Sequence, residues 1–125
     1  MSIKENKELI RYLYEKANQG DMETFFKHYD PGFIEHLTTG DMTLEQAKQL
    51  HARTDVDVAS VTLDRMVAEG DEVAVMVTWS MIQKATGKKT DMTNAHIIKI
   101  SKGKLMEAWS VIDIRAAQFS VPPKQ

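Results

Sequence analysis

Two runs of alternating apolar and polar residues, separated by Lys102 and Gly103, form the clearest hydrophobic pattern in the chain. Alternation with a period of two residues predicts β-strands, and a glycine between two such runs supplies the positive φ that a short hairpin turn needs. We therefore predict a hairpin over residues 92–113. With a one-residue bulge, one face of this hairpin carries Asn94, His96, Ile98, Ile100, Met106, Ala108, Ser110 and Ile112.

The bulged register fits the pattern better, because Lys99 then lies opposite polar residues. The alternative register stays open, and in it every residue after Gly103 changes face. In the bulged register, a mostly apolar face contains the polar side chains of Asn94, His96 and Ser110. Polar groups inside an apolar face need hydrogen-bond partners or a cavity. This polar cluster is therefore the candidate functional site.

Spacings of three and four residues between apolar positions predict helices in the first half of the chain. Two of them begin with a capping box, in which a Ser or Thr is followed three residues later by a Glu or Gln. Each of the two side chains accepts a hydrogen bond from the backbone N–H of the other residue. A third, short helix follows Asp21 as its N-cap and buries Tyr29 on its inner side. The predicted helices cover residues 2–18, residues after Asp21, and residues 43 to about 53.

The remaining pattern predicts strands. In the short run of residues 33–37, alternation separates His36 from Glu35, and we assign His36 to the face that carries His96. Residues 38–42 read as a loop, and long strands are expected over 58–68 and 73–82 before the hairpin. Three helices and four long antiparallel strands indicate an α+β fold. The residues assigned to the sheet face opposite the polar cluster are Val75, Val77 and Trp79.

Composition narrows the class of protein. The 125 residues are 42% hydrophobic and 27% charged, which suits one globular domain spanning 1–125. A net charge of −2 with interspersed signs gives no indication of a nucleic acid or membrane partner. The chain has no cysteine, no HExxH spacing and no glycine-rich phosphate loop, so we expect no metal site. No apolar run approaches the length of a membrane span, and we expect a cytoplasmic protein.

Three segments together resemble the nuclear transport factor 2-like superfamily and, within it, the SnoaL-like polyketide cyclase group. They are NKELIRYLYEKANQGDMETFFKHYDPGFIEH, VAEGDEVAVMVTW and HIIKISKGKLMEAWSVID. The resemblance implies a cone-shaped (cystatin-like) α+β barrel, with three N-terminal helices packed on a strongly curved antiparallel sheet. It also implies a small hydrophobic ligand in the cone and a homodimer through the outer sheet face. The polar tail, Arg115–Gln125, is expected to be mobile or to cross to the partner.

The resemblance also suggests roles for individual residues. His96 matches a pocket histidine of the cyclases. The resemblance implies that the general base of the cyclases is the aspartate that follows the tryptophan of the last strand. In this chain Trp109 is followed by Ser110 at that position. A serine hydroxyl cannot act as a carboxylate base at neutral pH. Ketosteroid isomerases share the fold, and their two functional acids would fall at His36 and His96.

We therefore expect His36 and His96 to be a catalytic acid–base pair, since imidazole titrates near neutral pH. The expected ligand-binding residues are Tyr14, Asn94, Ser110, Trp79 and Met76. The expected reaction is proton transfer next to a carbonyl, as in a cyclase or isomerase, and it needs no cofactor. A non-catalytic ligand-binding or dimerisation module is the main alternative, in which the two histidines only line the pocket. A dehydratase or hydrolase is a weaker one.

Overall fold

The computed structural model of the chain describes residues 2–113. The predicted tail segment, Arg115–Gln125, lies outside the described residues. Within them, three helices and six strands follow one another along the chain. Their bounds are α1 Ile3–Asn18, α2 Met22–Lys27, β1 Tyr29–Leu37, β2 Gly40–Thr43, α3 Leu44–His51, β3 Val56–Glu69, β4 Glu72–Gln83, β5 Lys89–Ser101 and β6 Lys104–Val111.

The helices begin where the capping residues predict. In α1, the Glu5 N–H donates to Ser2 Oγ over 3.1 Å, and the Ser2 N–H donates to Glu5 Oε1 over 3.0 Å. Thr43 and Gln46 form the same reciprocal pair at the start of α3. These bonds satisfy backbone donors that have no partner inside the helix. The second helix is shorter than expected, because Tyr29 begins β1 instead of ending α2.

The strands form one curved sheet in the order β2-β1-β6-β5-β4-β3. Neighbouring strands are antiparallel except for β1 and β6, which run parallel because the chain between them returns through α3 and three long strands. The predicted α+β fold with three helices packed on a strongly curved sheet is confirmed, although the sheet is not closed into a barrel. The short strand β2 occupies part of the predicted loop, paired with the end of β1.

The hairpin of β5 and β6 has the predicted bulged register. His96 pairs with Ser110 and Ile98 with Ala108. The turn residues Lys102 and Gly103 both have positive φ, as a two-residue hairpin turn of the twist-matching type requires. The bulge lies at Met106 within β6 and not at the turn, because Ile100 pairs with Leu105 and Lys99 with Glu107. The assignment of Met106 to the inner face was therefore wrong, and the buried Leu105 takes the position opposite Ile100.

The core lies between the helices and the inner face of the sheet. The inner face of β4 is fully apolar, with Val73 and Val77 completely buried. Val75 pairs with His96 and Val77 with Asn94, so these valines share the face of the polar cluster. The assignment of Val75, Val77 and Trp79 to the outer face was therefore wrong. None of the helices within residues 2–113 is long and apolar enough to cross a membrane.

Candidate functional site

Strand β1 presents a carboxylate to the inside of the sheet and an imidazole to the outside. Glu35 lies within 3.3 Å of His96, which belongs to the inner face. Its chain neighbour His36 contacts Glu107 and stacks on the exposed ring of Trp109, both on the outer face. Successive side chains of a strand point to opposite faces, so only one of the two could be inside. The prediction that His36 and His96 share one pocket was wrong.

The inner cluster is centred on the Nδ1 atom of His96. This nitrogen lies 2.6 Å from the Ser110 Oγ and 3.3 Å from the Glu35 Oε2. An ionised carboxylate can only accept hydrogen bonds, so the contact with Glu35 favours the tautomer with the proton on Nδ1. In the neutral ring, the other nitrogen, Nε2, then carries a free lone pair. The arrangement leaves one basic nitrogen of His96 for a ligand.

Glu35 remains ionised despite its position in the interior. Only 14% of its side chain is exposed. Burial raises the pKa of Glu35, but hydrogen bonds from His96 and Ser110 and the nearby imidazoles of His96 and His51 outweigh this effect. The net pKa of Glu35 is therefore below its ordinary value. A carboxylate held in this way is the usual support for an imidazole that accepts a proton.

Two tyrosine hydroxyls lie near this carboxylate. Burial and the negative charge of Glu35 raise the pKa of Tyr14 above its ordinary value. Burial, and then the charges of Tyr14 and Glu35, raise the pKa of Tyr29 in the same direction. Both phenols therefore stay protonated across the physiological range. They are available as hydrogen-bond donors, the property that stabilises a developing oxyanion.

Three further residues complete the inner surroundings. Asn94 is buried, and its side-chain oxygen accepts a hydrogen bond from the Asp113 N–H over 3.1 Å. What Asn94 can offer a ligand is therefore its amide N–H donors. Trp79 is also buried, with its ring 5.1 Å from that of His51. Burial lowers the pKa of His51, and the charge of Glu35 acts in the opposite direction.

The structure thus brings Tyr14, Asn94, His96, Ser110 and Trp79 to the inner side of the sheet. Met76, the remaining predicted ligand contact, points away from them. It is 42% exposed and pairs with Ala95, the neighbour of His96. The reason is again alternation, because Val75 and Val77 on either side of it occupy the core.

Outside the sheet, His36 has a different environment. Its Nε2 lies 2.5 Å from Glu107 Oε2 and its Nδ1 lies 2.9 Å from Asp41 Oδ1. The hydrogen bonds to Glu107 and Asp41 raise the pKa of His36. Next to it, the outer face forms an open groove of about 560 Å³. The exposed apolar residues of this groove are Val67, Met76, Ile97, Trp109 and Val111.

Sequence reasoning missed the central acidic residue of the inner cluster. Alternation in β1 correctly separated Glu35 from His36, but it did not decide which of them faces inward. The available signal was the larger apolar set, because Phe33 and Leu37 share the face of Glu35 whereas only Ile34 shares the face of His36. The position of Ser110 carries no carboxylate, but the neighbouring strand β1 supplies one, Glu35. The two strands lie side by side, with Leu37 paired with Ser110 and Glu35 with Ala108.

Comparison with known proteins agrees with this architecture. The family model of the SnoaL-like polyketide cyclases matches residues 7–118. AclR from Streptomyces galilaeus, a proposed hydroxylase, superposes with a TM-score of 0.81 at 21% identity over 94% of this chain and 96% of that one. IdmH from Streptomyces antibioticus, a proposed polyketide cyclase, gives 0.73 at 24% identity over 93% and 99%. TsrD from Streptomyces laurentii gives 0.76 at 20% identity over 98% of both chains.

The fold is of the nuclear transport factor 2-like type. The chain belongs to the SnoaL-like polyketide cyclase family. At these identities, the solved structures establish the shared fold. No curated protein sequence matches the chain.

Proposed function

We propose that the protein is a cofactor-independent enzyme that transfers a proton next to a carbonyl of a small hydrophobic substrate. The observation that supports this proposal is the pair of contacts at His96 Nδ1, to Ser110 and to the ionised Glu35. An imidazole held by a carboxylate on one nitrogen can accept a proton on the other, and the carboxylate then stabilises the imidazolium. In this proposal His96 is the acid–base residue, and Glu35 and Ser110 position it.

The tyrosines fit the other half of the reaction. Removing a proton next to a carbonyl places negative charge on the carbonyl oxygen, and a buried hydroxyl donor stabilises that charge. Tyr14 keeps its proton, because burial and Glu35 raise its pKa. We assign Tyr14 as the donor to the carbonyl oxygen, with the amide N–H groups of Asn94 as a second orienting contact. Trp79 would contact the apolar part of the ligand.

A second candidate function is supported by the same pair of residues. A carboxylate beside a histidine can also activate a water molecule, which is the chemistry of a dehydratase or hydrolase. Glu35 beside His96 meets that requirement, which His36 and Glu107 on the outer face do not, because the sheet separates them from the interior. The two reactions differ in their products. Proton transfer exchanges a carbon-bound hydrogen with solvent, whereas the second reaction adds or removes water.

We also propose that a second copy of this chain covers the outer groove. A row of outer residues crosses five strands, as the pairing of His36 with Trp109, Trp109 with Ile97, Ile97 with Ala74 and Ala74 with Val67 shows. Contiguous exposed apolar surface of this kind marks interaction sites. Arg65 lies on β3 at one end of the row, and Asp41, which pairs with His36, lies on β2 at the other end.

The charges at the two ends suit a symmetric pair. A two-fold axis parallel to the strands and close to Ile97 would bring the β3 end of one groove, which carries Arg65, opposite the β2 end of the other, which carries Asp41. It would also place the apolar middle of each groove against the other. This pairing is self-complementary in the sign of its charges.

The ligand site can be tested by NMR before any reaction is known. Small ketones and polyketide-like lactones are titrated into the labelled protein, and the side-chain signals of the two histidines are followed. We expect ligands to perturb His96 and the backbone of Ser110 while leaving His36 unchanged. Perturbation of His36 alone would place ligand binding on the outer face and contradict the proposal. A ligand that binds at His96 without turnover would favour the non-catalytic module.

A further inference from the structure

A second depression of about 560 Å³ lies between α2 and α3, on the helical side of the molecule. Met22 and Phe26 of α2 provide apolar lining, and His51 of α3 forms part of the boundary. Lys27 and Lys48 flank this depression, one on each helix. The surface is thus partly apolar and partly cationic.

The two lysines are available to a ligand. Among residues 2–113, neither the Lys27 nor the Lys48 ammonium group forms an ion pair with a carboxylate. Glu23 is the one carboxylate among the lining residues, and it offsets one of the two charges. Burial lowers the pKa of His51, so that this ring is neutral at neutral pH. The depression therefore carries a net positive charge.

His51 connects this depression to the inner cluster. The ring of His51 lines the depression and also packs against Phe26, another lining residue, at 5.5 Å and against the buried Trp79 at 5.1 Å between ring centres. The charge of Glu35 also acts on the His51 ring. A ligand entering between α2 and α3 would thus meet the lysines first, then His51 and Trp79, and then the residues around Glu35.

We propose that this depression is the mouth of the ligand site and that it selects organic acids: small molecules with an apolar body and one anionic group. The inference rests on the proposed function, because it takes the inner cluster to be where the ligand's carbonyl reacts. The anionic group would lie between Lys27 and Lys48, and the apolar body would contact Met22 and Phe26. Lysine ammonium groups are compact point charges that attract an anion without requiring one fixed geometry.

A matched pair of fluorescent probes tests this selection directly. The first, 1-anilinonaphthalene-8-sulfonate, is an aromatic anion, and the second, N-phenyl-1-naphthylamine, is its neutral analogue. Both are titrated into the wild-type protein, the double variant K27Q/K48Q and the control double variant K4Q/K89Q. The control removes two exposed lysines that do not line the depression. Each titration is repeated at low and high salt.

We expect K27Q/K48Q to weaken binding of the anionic probe about tenfold at low salt, as the loss of two surface charge contacts implies. The neutral probe should be unaffected, and K4Q/K89Q should bind both probes as the wild type does. High salt should weaken binding of the anionic probe and leave binding of the neutral probe unchanged. The proposal is overturned if the wild type does not bind the anionic probe, or if K27Q/K48Q binds it as tightly as the wild type does.

The same titration on Glu35→Gln separates this inference from the proposed reaction. Glu35 does not line the depression, so E35Q should bind the anionic probe at least as tightly as the wild type. Loss of proton-transfer activity in E35Q with probe binding retained would support both proposals. If the protein binds the anionic probe selectively but has no proton-transfer activity, the proposed reaction is wrong and the assignment of the depression as an anion-selecting entrance stands.

Discussion

Glu35 and His36 are adjacent in the chain but belong to two different charge clusters on opposite faces of the sheet. Glu35 contacts His96 at 3.3 Å on the inner face, and His36 contacts Glu107 at 2.5 Å on the outer face. Both clusters pair an imidazole with a carboxylate. The inner cluster lies near the Tyr14 hydroxyl, which in the proposed reaction donates a hydrogen bond to the carbonyl oxygen. Because the pKa of Glu35 is lowered and that of His36 is raised, the two clusters should respond to pH in opposite ways.

The inner carboxylate should stabilise the fold above its pKa. Because hydrogen bonding and the nearby imidazoles lower the pKa of Glu35 in the folded state, its contribution is fully present above the unfolded-state pKa. That contribution is lost as pH falls through the lower folded-state value. We expect Glu35→Gln to reduce the free energy of unfolding at pH 7 by about 1–3 kcal/mol, because it removes a charged partner of His96 and Ser110. Urea denaturation at several pH values measures this.

The difference between wild type and E35Q should shrink as pH falls below about 4.3, the ordinary pKa of a glutamate in an unfolded chain. Glu23→Gln is the matched control, since Glu23 is exposed and has no such partners. A difference that is constant from pH 7 down to acid unfolding would show that Glu35 is not held as an ionised group.

The outer imidazole should have the opposite pH signature. Hydrogen bonds to Glu107 and Asp41 raise the pKa of His36, so its stabilising effect is fully present below the unfolded-state pKa of about 6.5. The effect is lost as pH rises through the higher folded-state value. We expect His36→Gln to destabilise the protein more at pH 6 than at pH 9.

An NMR titration of His36 in the wild type and in Glu107→Gln checks the cause. The substitution should lower the pKa of His36, because Glu107 is the largest influence on it. An unchanged His36 pKa in E107Q would mean that the contact with Glu107 does not persist in solution.

Alternate residues of β4 should differ sharply in their effect on stability. Val77 is completely buried, whereas its neighbour Met76 is 42% exposed. Val77→Ala should cost about 2 kcal/mol of unfolding free energy through lost burial and the resulting cavity. Met76→Ala should cost less than about 1 kcal/mol, as surface substitutions do. Chemical denaturation of both variants measures this, and equal losses would contradict the described orientation of β4.

Pattern reasoning succeeded where local chemistry decided the structure. The capping residues Ser2 and Thr43 mark helix starts, and the turn at Gly103 together with the alternation gave the pairing of His96 with Ser110. It failed where the residue types on either face of a strand would be compatible with the core. Residues 73–82 have an apolar or small residue at most positions of both sets, so alternation alone did not say which set faces the helices. That choice is made by packing between distant segments.

The same limit explains the errors in the candidate site. A buried glutamate is costly without partners, and the sequence around β1 does not contain the partners of Glu35. The partners of Glu35 come from β5 and β6, and the parallel pairing of β1 with β6 that brings Ser110 close has no local signature. His96, Asn94 and Ser110 were placed correctly because they belong to one hairpin, whose register can be argued from adjacent sequence.

The outer groove gives a prediction about assembly. Ile97 is 45% exposed and lies near the middle of the outer row, close to the proposed two-fold axis. Ile97→Glu would place two like charges against each other and should convert the proposed dimer to a monomer, as measured by analytical ultracentrifugation. Leu50→Glu is the control, because Leu50 is 52% exposed on α3, away from the sheet. A wild-type monomer at high concentration, or an I97E dimer, would rule out this interface.

The proposed reaction is tested most directly by the exchange of ketone α-hydrogens for deuterium in D₂O, followed by NMR with wild type, His96→Gln and His36→Gln. Both variants remove a histidine that contacts a carboxylate, but only one of these histidines lies in the interior. We predict exchange with the wild type, a loss of about 10²–10⁴-fold in H96Q, and near-normal exchange in H36Q. Equal losses in the two variants, or exchange that H96Q leaves intact, would contradict the assignment of His96 as the acid–base residue.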